Sequence, residues 1–313
     1  MPKEATINLD KTIAQSDEWS DWLLHSRHAD NPDLEQVVRS AIERYADRVL
    51  DGARLAPGMT VADIGTGDGL VALRAIDRVG ASLRVLLVDI SEPMLRHAEA
   101  LAAQRNVLPQ CTFLKCGAES LDGIADASID IVTTRAALAY VTDKSKALRE
   151  FQRVLKPGGR LSIAEPVFRD DAFSVRALKH VVDTTSIETL DPILPLLHRW
   201  KSAQFPDTQE DIANNPITNY SERDLLRFVQ NSGFTGIHME FHVDILPTLI
   251  TSWEVFLRNS PHPWAPTHET ILTERFTIEE RKLFESILRP TIESGQSVSV
   301  DRVAYITAMK PLA

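Results

Sequence analysis

A chain of 313 residues, 43% hydrophobic and 25% charged, has the make-up of a globular protein large enough to bury a substantial core. Its net charge of −10, with no run of lysine or arginine, is the opposite of the basic footprint of nucleic-acid binders, so no nucleic-acid partner is expected. No apolar stretch reaches the roughly 18 residues that cross a bilayer, and the polar opening Met1 to Lys11 lacks an apolar signal core; a cytoplasmic protein with no membrane partner is expected. The two cysteines, Cys111 and Cys116, border one predicted strand and form neither a disulfide framework nor a thiolate metal site.

Residues 1 to 15 read as a loose leader. Ser16 to Arg27 differs: Trp19, Trp22, Leu23 and Leu24 share one helical face, and two of the five tryptophans fall here. This stretch is expected either to staple itself to the main body by aromatic packing or to close over a ligand, bringing Trp22, Arg27 or His28 to it. Asn31-Pro32-Asp33 starts a helix on which Leu34, Val37, Val38, Ala41, Ile42, Tyr45 and Val49 repeat at helical spacing. Pro57-Gly58 then breaks the chain.

The next nine residues are Val61-Ala62-Asp63-Ile64-Gly65-Thr66-Gly67-Asp68-Gly69. They read as a buried strand, a tight glycine turn and the start of an amphipathic helix. Glycines accept positive φ there and let a ligand approach the backbone, while the helix start offers unpaired N–H groups and a partial positive charge. Leu83 to Ile90 is a second buried strand ending in Asp89, an acid placed to accept hydrogen bonds from both ribose hydroxyls of an adenosine ligand. Ser91 caps the following helix, with Pro93 in its first turn. Cys111 to Lys115 reads as a third strand, with Gly117-Ala118-Glu119 at its end, and Ser128 to Thr134 as a fourth. Thr142 or Asp143 caps a helix carrying Ala147, Leu148, Phe151, Val154 and Leu155. Lys156-Pro157-Gly158-Gly159 stops it, and Arg160 to Ala164 opens a fifth strand. Alternating strands and helices predict an α/β fold with a parallel sheet covered on both faces.

Beyond Glu165-Pro166 the pattern changes. Residues 167 to 215 read as helices with polar breaks, and 221 to 232 as an amphipathic helix started by Ser221-Glu222. His238 to Ile245 alternates as a strand. Residues 248 to 293 form a second helical insertion containing Trp253, Phe256, Trp264 and Phe284, and Val298 to Met309 is the last strand.

Four stretches resemble, in order, the motifs of class I S-adenosylmethionine (SAM) dependent methyltransferases. They are Asp63 to Gly69, then Asp89-Ile90-Ser91, then Gly117-Ala118-Glu119, then Val154 to Leu161. The resemblance is close over residues 57 to 166. The G-x-G-x-G spacing sets it apart from the G-x-G-x-x-G of NAD-dependent Rossmann enzymes. It implies a Rossmann-like class I methyltransferase sheet closed by an antiparallel hairpin, with S-adenosyl-L-methionine as cofactor. The chain would then divide into an N-terminal helical cap (1–56), a SAM-binding core (57–166) and helical lid insertions with the last strands (167–313). Cofactor contacts would come from Asp63, Gly65, Gly67, Gly69, Asp89, Ile90, Met94, Ala118, Glu119 and Thr134, with Glu119 beside the adenine ring.

Methyl transfer asks the protein to orient a nucleophile about 3–3.5 Å from the methyl carbon and to exclude water. The loop Thr134 to Tyr140 should face both ligands. Many relatives carry a small polar residue where Arg135 stands; a guanidinium there is a candidate clamp for a carboxylate, that of SAM or of an acidic or amino-acid substrate. Tyr140 could close over the cofactor or offer its π face to the sulfonium. Glu165 is a candidate to hold an ammonium group. Arg135, Tyr140 and His28 are the expected catalytic residues, and Trp22, Arg27, Arg135, Tyr140 and Glu165 the expected substrate contacts. Among the nine histidines, His28 and His198 are the candidate bases. None has metal-ligand spacing on a helix with a third ligand, so no metal is expected. The expected partner is a small-molecule substrate, an amino acid among the options, and homodimerisation is left open. The layout is similar to that of the bacterial methionine S-methyltransferases of dimethylsulfoniopropionate synthesis, which implies conversion of methionine to S-methylmethionine. O- or N-methylation of a natural product, and SAM binding without transfer, stand as alternatives.

Overall fold

A computed structural model describes residues 16–312; the expected leader 1 to 15 lies outside them. Seven strands form one sheet in the order β3-β2-β1-β4-β5-β7-β6. They are β1 (Thr60–Ile64), β2 (Arg84–Asp89), β3 (Cys111–Lys115), β4 (Ile129–Arg135), β5 (Leu155–Pro166), β6 (Thr235–Pro247) and β7 (Val298–Met309). The first five run parallel, and β7 pairs antiparallel with both β5 and β6. The sheet is therefore the Rossmann-like α/β sheet with a closing hairpin that the motifs imply.

Helices α1 (Glu18–Asp21), α2 (Pro32–Ala53), α3 (Leu70–Val79) and α4 (Glu92–Gln104) precede β3. The last three cover one sheet face, where Val49, Leu50, Leu73, Ile76, Leu95 and Ala98 bury against Val61, Val85 and Leu87. α5 (Lys144–Val154) and α9 (Glu222–Asn231) cover the other with Leu148, Phe151, Leu225 and Val229. Each such fully buried aliphatic or aromatic side chain contributes roughly 1.5–3 kcal/mol. The caps are those expected: Asn31 accepts from Leu34 N, Ser91 from Met94 N, Asp143 from Lys146 N and Ser221 from Asp224 N.

Three local readings are corrected. Lys156 to Gly159 is not a stop before the strand but part of β5. Gly158 N donates to Lys310 O and Lys310 N to Gly159 O, so the chain just after β7 holds the Pro-Gly-Gly arch in the sheet, with a register shift against β4 between Ile129 and Ile131. Ser16 to Arg27 is not one α-helix: four α-helical residues pass into a five-residue π-helical turn, Trp22–Ser26. Val37, expected on the buried face of α2, is exposed.

The first insertion holds α6 (Arg169–Thr184), α7 (Ile193–Ser202) and α8 (Gln209–Asn214), the second α10 (Trp253–Arg258), α11 (His268–Arg275) and α12 (Ile278–Glu293). They share a core: Ile193 and Leu196 of α7 pack with Trp253, Phe256, Leu272, Phe284 and Ile292. His268 is pinned inside it, stacked on Phe256 with centroids 4.1 Å apart and accepting from Trp200 Nε1 at 3.0 Å. Burial lowers its pKa to about 4, so it stays neutral. The N-terminal turn is tied to this unit, since Trp22 Nε1 donates to Ser260 O and Asn259 Nδ2 to Ser26 O and Arg27 O.

Candidate functional site

A cavity of about 210 Å³ opens at the carboxyl ends of β1 to β4. Its floor is Gly65, Thr66 and Gly67; Asp89 and Ile90 follow β2, Cys116 and Ala118 follow β3, and Thr134 to Leu138 follow β4. Trp19, Trp22, Leu23 and Arg27 from the N-terminal turn, and Pro263 from the second insertion, cover it. Above it the rings of Trp19, Tyr140 and Trp264 pack on one another, Tyr140 meeting both tryptophans edge-on at 5.1 and 5.2 Å.

The glycine turn is fixed by its neighbours. Gly65 N and Thr66 N donate to Val88 O, and Gly67 N donates to Asp89 Oδ2 at 2.8 Å. Leu70 N donates to Asp68 Oδ1. The donors expected to face a ligand are thus engaged inside the protein, and what the turn offers is close backbone approach. At Gly65, with φ +67°, a Cβ would stand 2.2 Å from that of Ala137, so no other residue fits without displacing the loop after β4. Asp89 also accepts from Ser91 N at 2.9 Å, which leaves further lone pairs on both its oxygens. Burial raises its pKa against those bonds.

Other expected residues lie elsewhere. Asp63 is buried under the turn, accepting from Thr66 Oγ1 at 2.7 Å and Thr133 Oγ1 at 2.8 Å, and does not line the cavity. Gly69 faces Leu87, Ala98 and Leu73, and Met94 is fully buried. Glu119 turns away to accept from Asp143 N at 2.5 Å. Glu165, expected to hold an ammonium, is buried beneath the β4 loop. It accepts from Thr134 Oγ1, from Ala139 N at 3.0 Å and from Ala137 N at 3.4 Å, so its oxygens serve the backbone. His28 is buried outside the cavity wall with Nδ1 unpaired among the described residues, and His198 on α7 pairs with Asp207 at 2.7 Å. Neither candidate base reaches the site. Among the described residues no group of His, Cys, Asp or Glu is arranged to hold a metal ion.

Asp63 carries a pH signature. Burial pushes its pKa up to about 6, opposed by the bonds from Thr66 and Thr133. The folded state then holds the proton more tightly than the unfolded chain, whose aspartate titrates at about 4. Its contribution is full below about pH 4 and is lost as pH rises through about 6. Asp63→Asn, which keeps the carbonyl acceptor without the buried charge, should flatten this slope. Its Tm relative to the native protein should climb between about pH 4 and 7; parallel Tm curves would show that burial does not penalise the Asp63 charge.

Two residues at this side of the site were not singled out by sequence. Asp68 sits within the glycine motif, which marks it, but nothing along the chain marks Arg39. Asp68 lines the cavity and Arg39, which does not, forms an ion pair with it. Burial raises the Asp68 pKa, and Arg39, Arg135 and Arg27 outweigh it, holding the carboxylate below its usual range. Arg27 and Arg135 both line the cavity, and neither forms an ion pair among the described residues. Burial lowers the Arg27 pKa to about 10, still protonated at neutral pH.

The family model described as "Methyltransferase domain" matches residues 55–219. The chain is 32% identical over 219 residues to the ubiquinone/menaquinone biosynthesis C-methyltransferase UbiE of Shewanella frigidimarina, covering 69% of this chain and 82% of that one. To the UbiE of Shewanella oneidensis it is 34% identical over 218 residues, with the same coverage. Among solved structures, the YcgJ protein of Bacillus subtilis superposes with a TM-score of 0.54 at 19% identity, covering 86% of this chain and 99% of that one, a likeness of fold. No helix among the described residues is long and apolar enough to cross a membrane. With the first three of the ordered motifs placed around one cavity on the sheet edge, the chain belongs to the methyltransferase-domain family and is a class I SAM-dependent methyltransferase.

Proposed function

We propose that the methyl acceptor is a small molecule bound beneath the helical cover, and that the reaction is S-methylation of methionine to S-methylmethionine. One observation carries this reading: among the described residues the cavity wall contains no histidine and no lysine, and its two carboxylates have other roles, Asp68 paired with Arg39 and Asp89 holding the glycine turn and, in this reading, the ribose. Burial and Glu165 raise the Tyr140 pKa well above that of a free phenol, so it keeps its proton. A thioether needs no base, because its lone pair is free at neutral pH, whereas a hydroxyl or ammonium must first lose a proton.

The residues present fit the cofactor. Asp89 has lone pairs left for both ribose hydroxyls, Ile90, Cys116 and Ala118 supply apolar walls for a flat base, and Gly65 and Gly67 let a ligand lie against the backbone. Bound SAM supplies a methyl group on a positive sulfur that is already a good leaving group. Arg135 and Tyr140 would orient the acceptor, while Trp19 and Trp22 exclude water. In this reading residues 1–56 act as cap, 57–166 as cofactor core and 167–313 as lid.

The test is incubation with SAM and methionine, reading S-adenosylhomocysteine release and product mass together. Turnover to S-methylmethionine is expected. Absence of that product overturns the methionine assignment. The relatives' printed activity, C-methylation, favours one second reading, which a carbon-bound methyl in the product would establish.

A further inference from the structure

We infer that Arg27 and Arg135 form a carboxylate site for the methyl acceptor, separate from the cofactor contacts; this rests on the reading of the cavity as shared by cofactor and acceptor. Arg27 and Arg135 line the wall beside Asp68, which Arg39 pairs from outside the lining, so three guanidinium groups act on one carboxylate. That carboxylate is bonded at both oxygens, Oδ2 accepting from Arg39 and Oδ1 from Leu70 N, and its one negative charge cannot match three cations. Arg27 and Arg135 lie in the field of that carboxylate, yet neither forms an ion pair of its own among the described residues. Arg27 is the more telling, because it is held in place rather than free to swing into water. Its backbone carbonyl accepts from Asn259 Nδ2 at 2.7 Å, and its guanidinium lies 5.6 Å from the Trp22 ring centroid. Its Nε is buried with no hydrogen-bond partner. A buried donor left unmatched is costly, and a cation in a dry wall more so. A carboxylate between the two forks would satisfy both.

The side of the cavity decides the source. Arg27 comes from the N-terminal turn, which covers the cavity together with Pro263 of the second insertion, whereas the ribose-facing Asp89 lies at the β2 tip. Asp89 already interacts with the N-terminal turn by another route, since Ser91, which donates to Asp89 through its N–H, donates through Oγ to Asp17 at 3.0 Å. The ligand reached by Arg27 is then the one that enters under the aromatic cover, next to Trp22 and Tyr140. Its chemistry is a small carboxylic acid with an apolar or thioether body.

The test is binding, not turnover. Tryptophan fluorescence or calorimetry is followed at saturating S-adenosylhomocysteine with L-methionine, 3-(methylthio)propionate and benzoate, each against its primary amide. At least one acid should bind about tenfold tighter than its amide, as a charge-assisted fork predicts. Arg27→Gln and Arg135→Gln should each abolish that preference, Arg27→Lys should restore part of it, and S-adenosylhomocysteine affinity should stay within about threefold, which also reports that the variants fold. Equal binding of every acid and amide, or no binding by any acid, overturns the site. So does displacement of S-adenosylhomocysteine by the acids, or a large loss of its affinity in Arg27→Gln, since either would assign the pair to the cofactor's own carboxylate. None of these outcomes depends on methyl transfer, so failure of the methionine reaction is read separately.

Discussion

Replacing Glu165 by alanine should cost about 3–5 kcal/mol of folding stability, the largest effect expected of any single change at the site. Glu165 is completely buried, and its two oxygens accept from Thr134 Oγ1, Ala137 N and Ala139 N. Removing it leaves buried donors unpaired, at roughly 1–3 kcal/mol each, and opens a cavity. The loss should appear as a lower urea midpoint with little change in slope. Glu165→Gln is the informative partner: it keeps one acceptor and presents an amide N–H₂ to backbone donors, so it should fall between. The same residues carry Arg135 and Tyr140, so cofactor and acceptor binding should weaken in parallel with stability. A native urea midpoint in Glu165→Ala would mean that the loop holds itself without the carboxylate.

Asp89→Ala should weaken SAM binding by at least about a hundredfold. Hydrogen bonds to a charged group contribute about 1.5–3 kcal/mol each, and the reading above gives Asp89 two ribose hydroxyls. The same carboxylate accepts from Gly67 N and Ser91 N, so its removal also loosens the glycine turn. Asp89→Asn keeps one acceptor and should lie between. Calorimetry with SAM on folded variants, checked by unchanged circular dichroism, measures this; native affinity in Asp89→Ala removes the residue from the cofactor site.

Most of the sheet was legible because its signals are local. The strands Thr60–Ile64, Cys111–Lys115 and Val298–Met309 are bounded by turn residues and apolar runs, and the caps Asn31, Ser91, Asp143 and Ser221 act on backbone three residues away. The β5 arch was misread for the complementary reason. Pro157-Gly158-Gly159 has every local mark of a stop, and only Lys310, far along the chain, holds it in the sheet.

The site divides in the same way. Gly65, Gly67, Asp89, Ala118 and Arg135 line the cavity because each sits at a strand end, and the order of strands brings those ends together. Glu119, Glu165, His28 and His198 carry the right chemical groups, but sequence does not say which way a side chain turns. Nearby backbone N–H groups claimed the two carboxylates, and packing within the N-terminal turn and the first insertion placed the two histidines outside the wall. The chain's order of motifs thus determined the fold, the cofactor class and the edge at which it binds. Tertiary structure alone decided that Arg39 pairs with Asp68, that Trp22 and Pro263 cover the cavity, and that Arg27 and Arg135 line it without an ion pair among the described residues. Charge pairing is settled by distance in space, and residues 27, 39, 68 and 135 meet only once the helices have packed on the sheet.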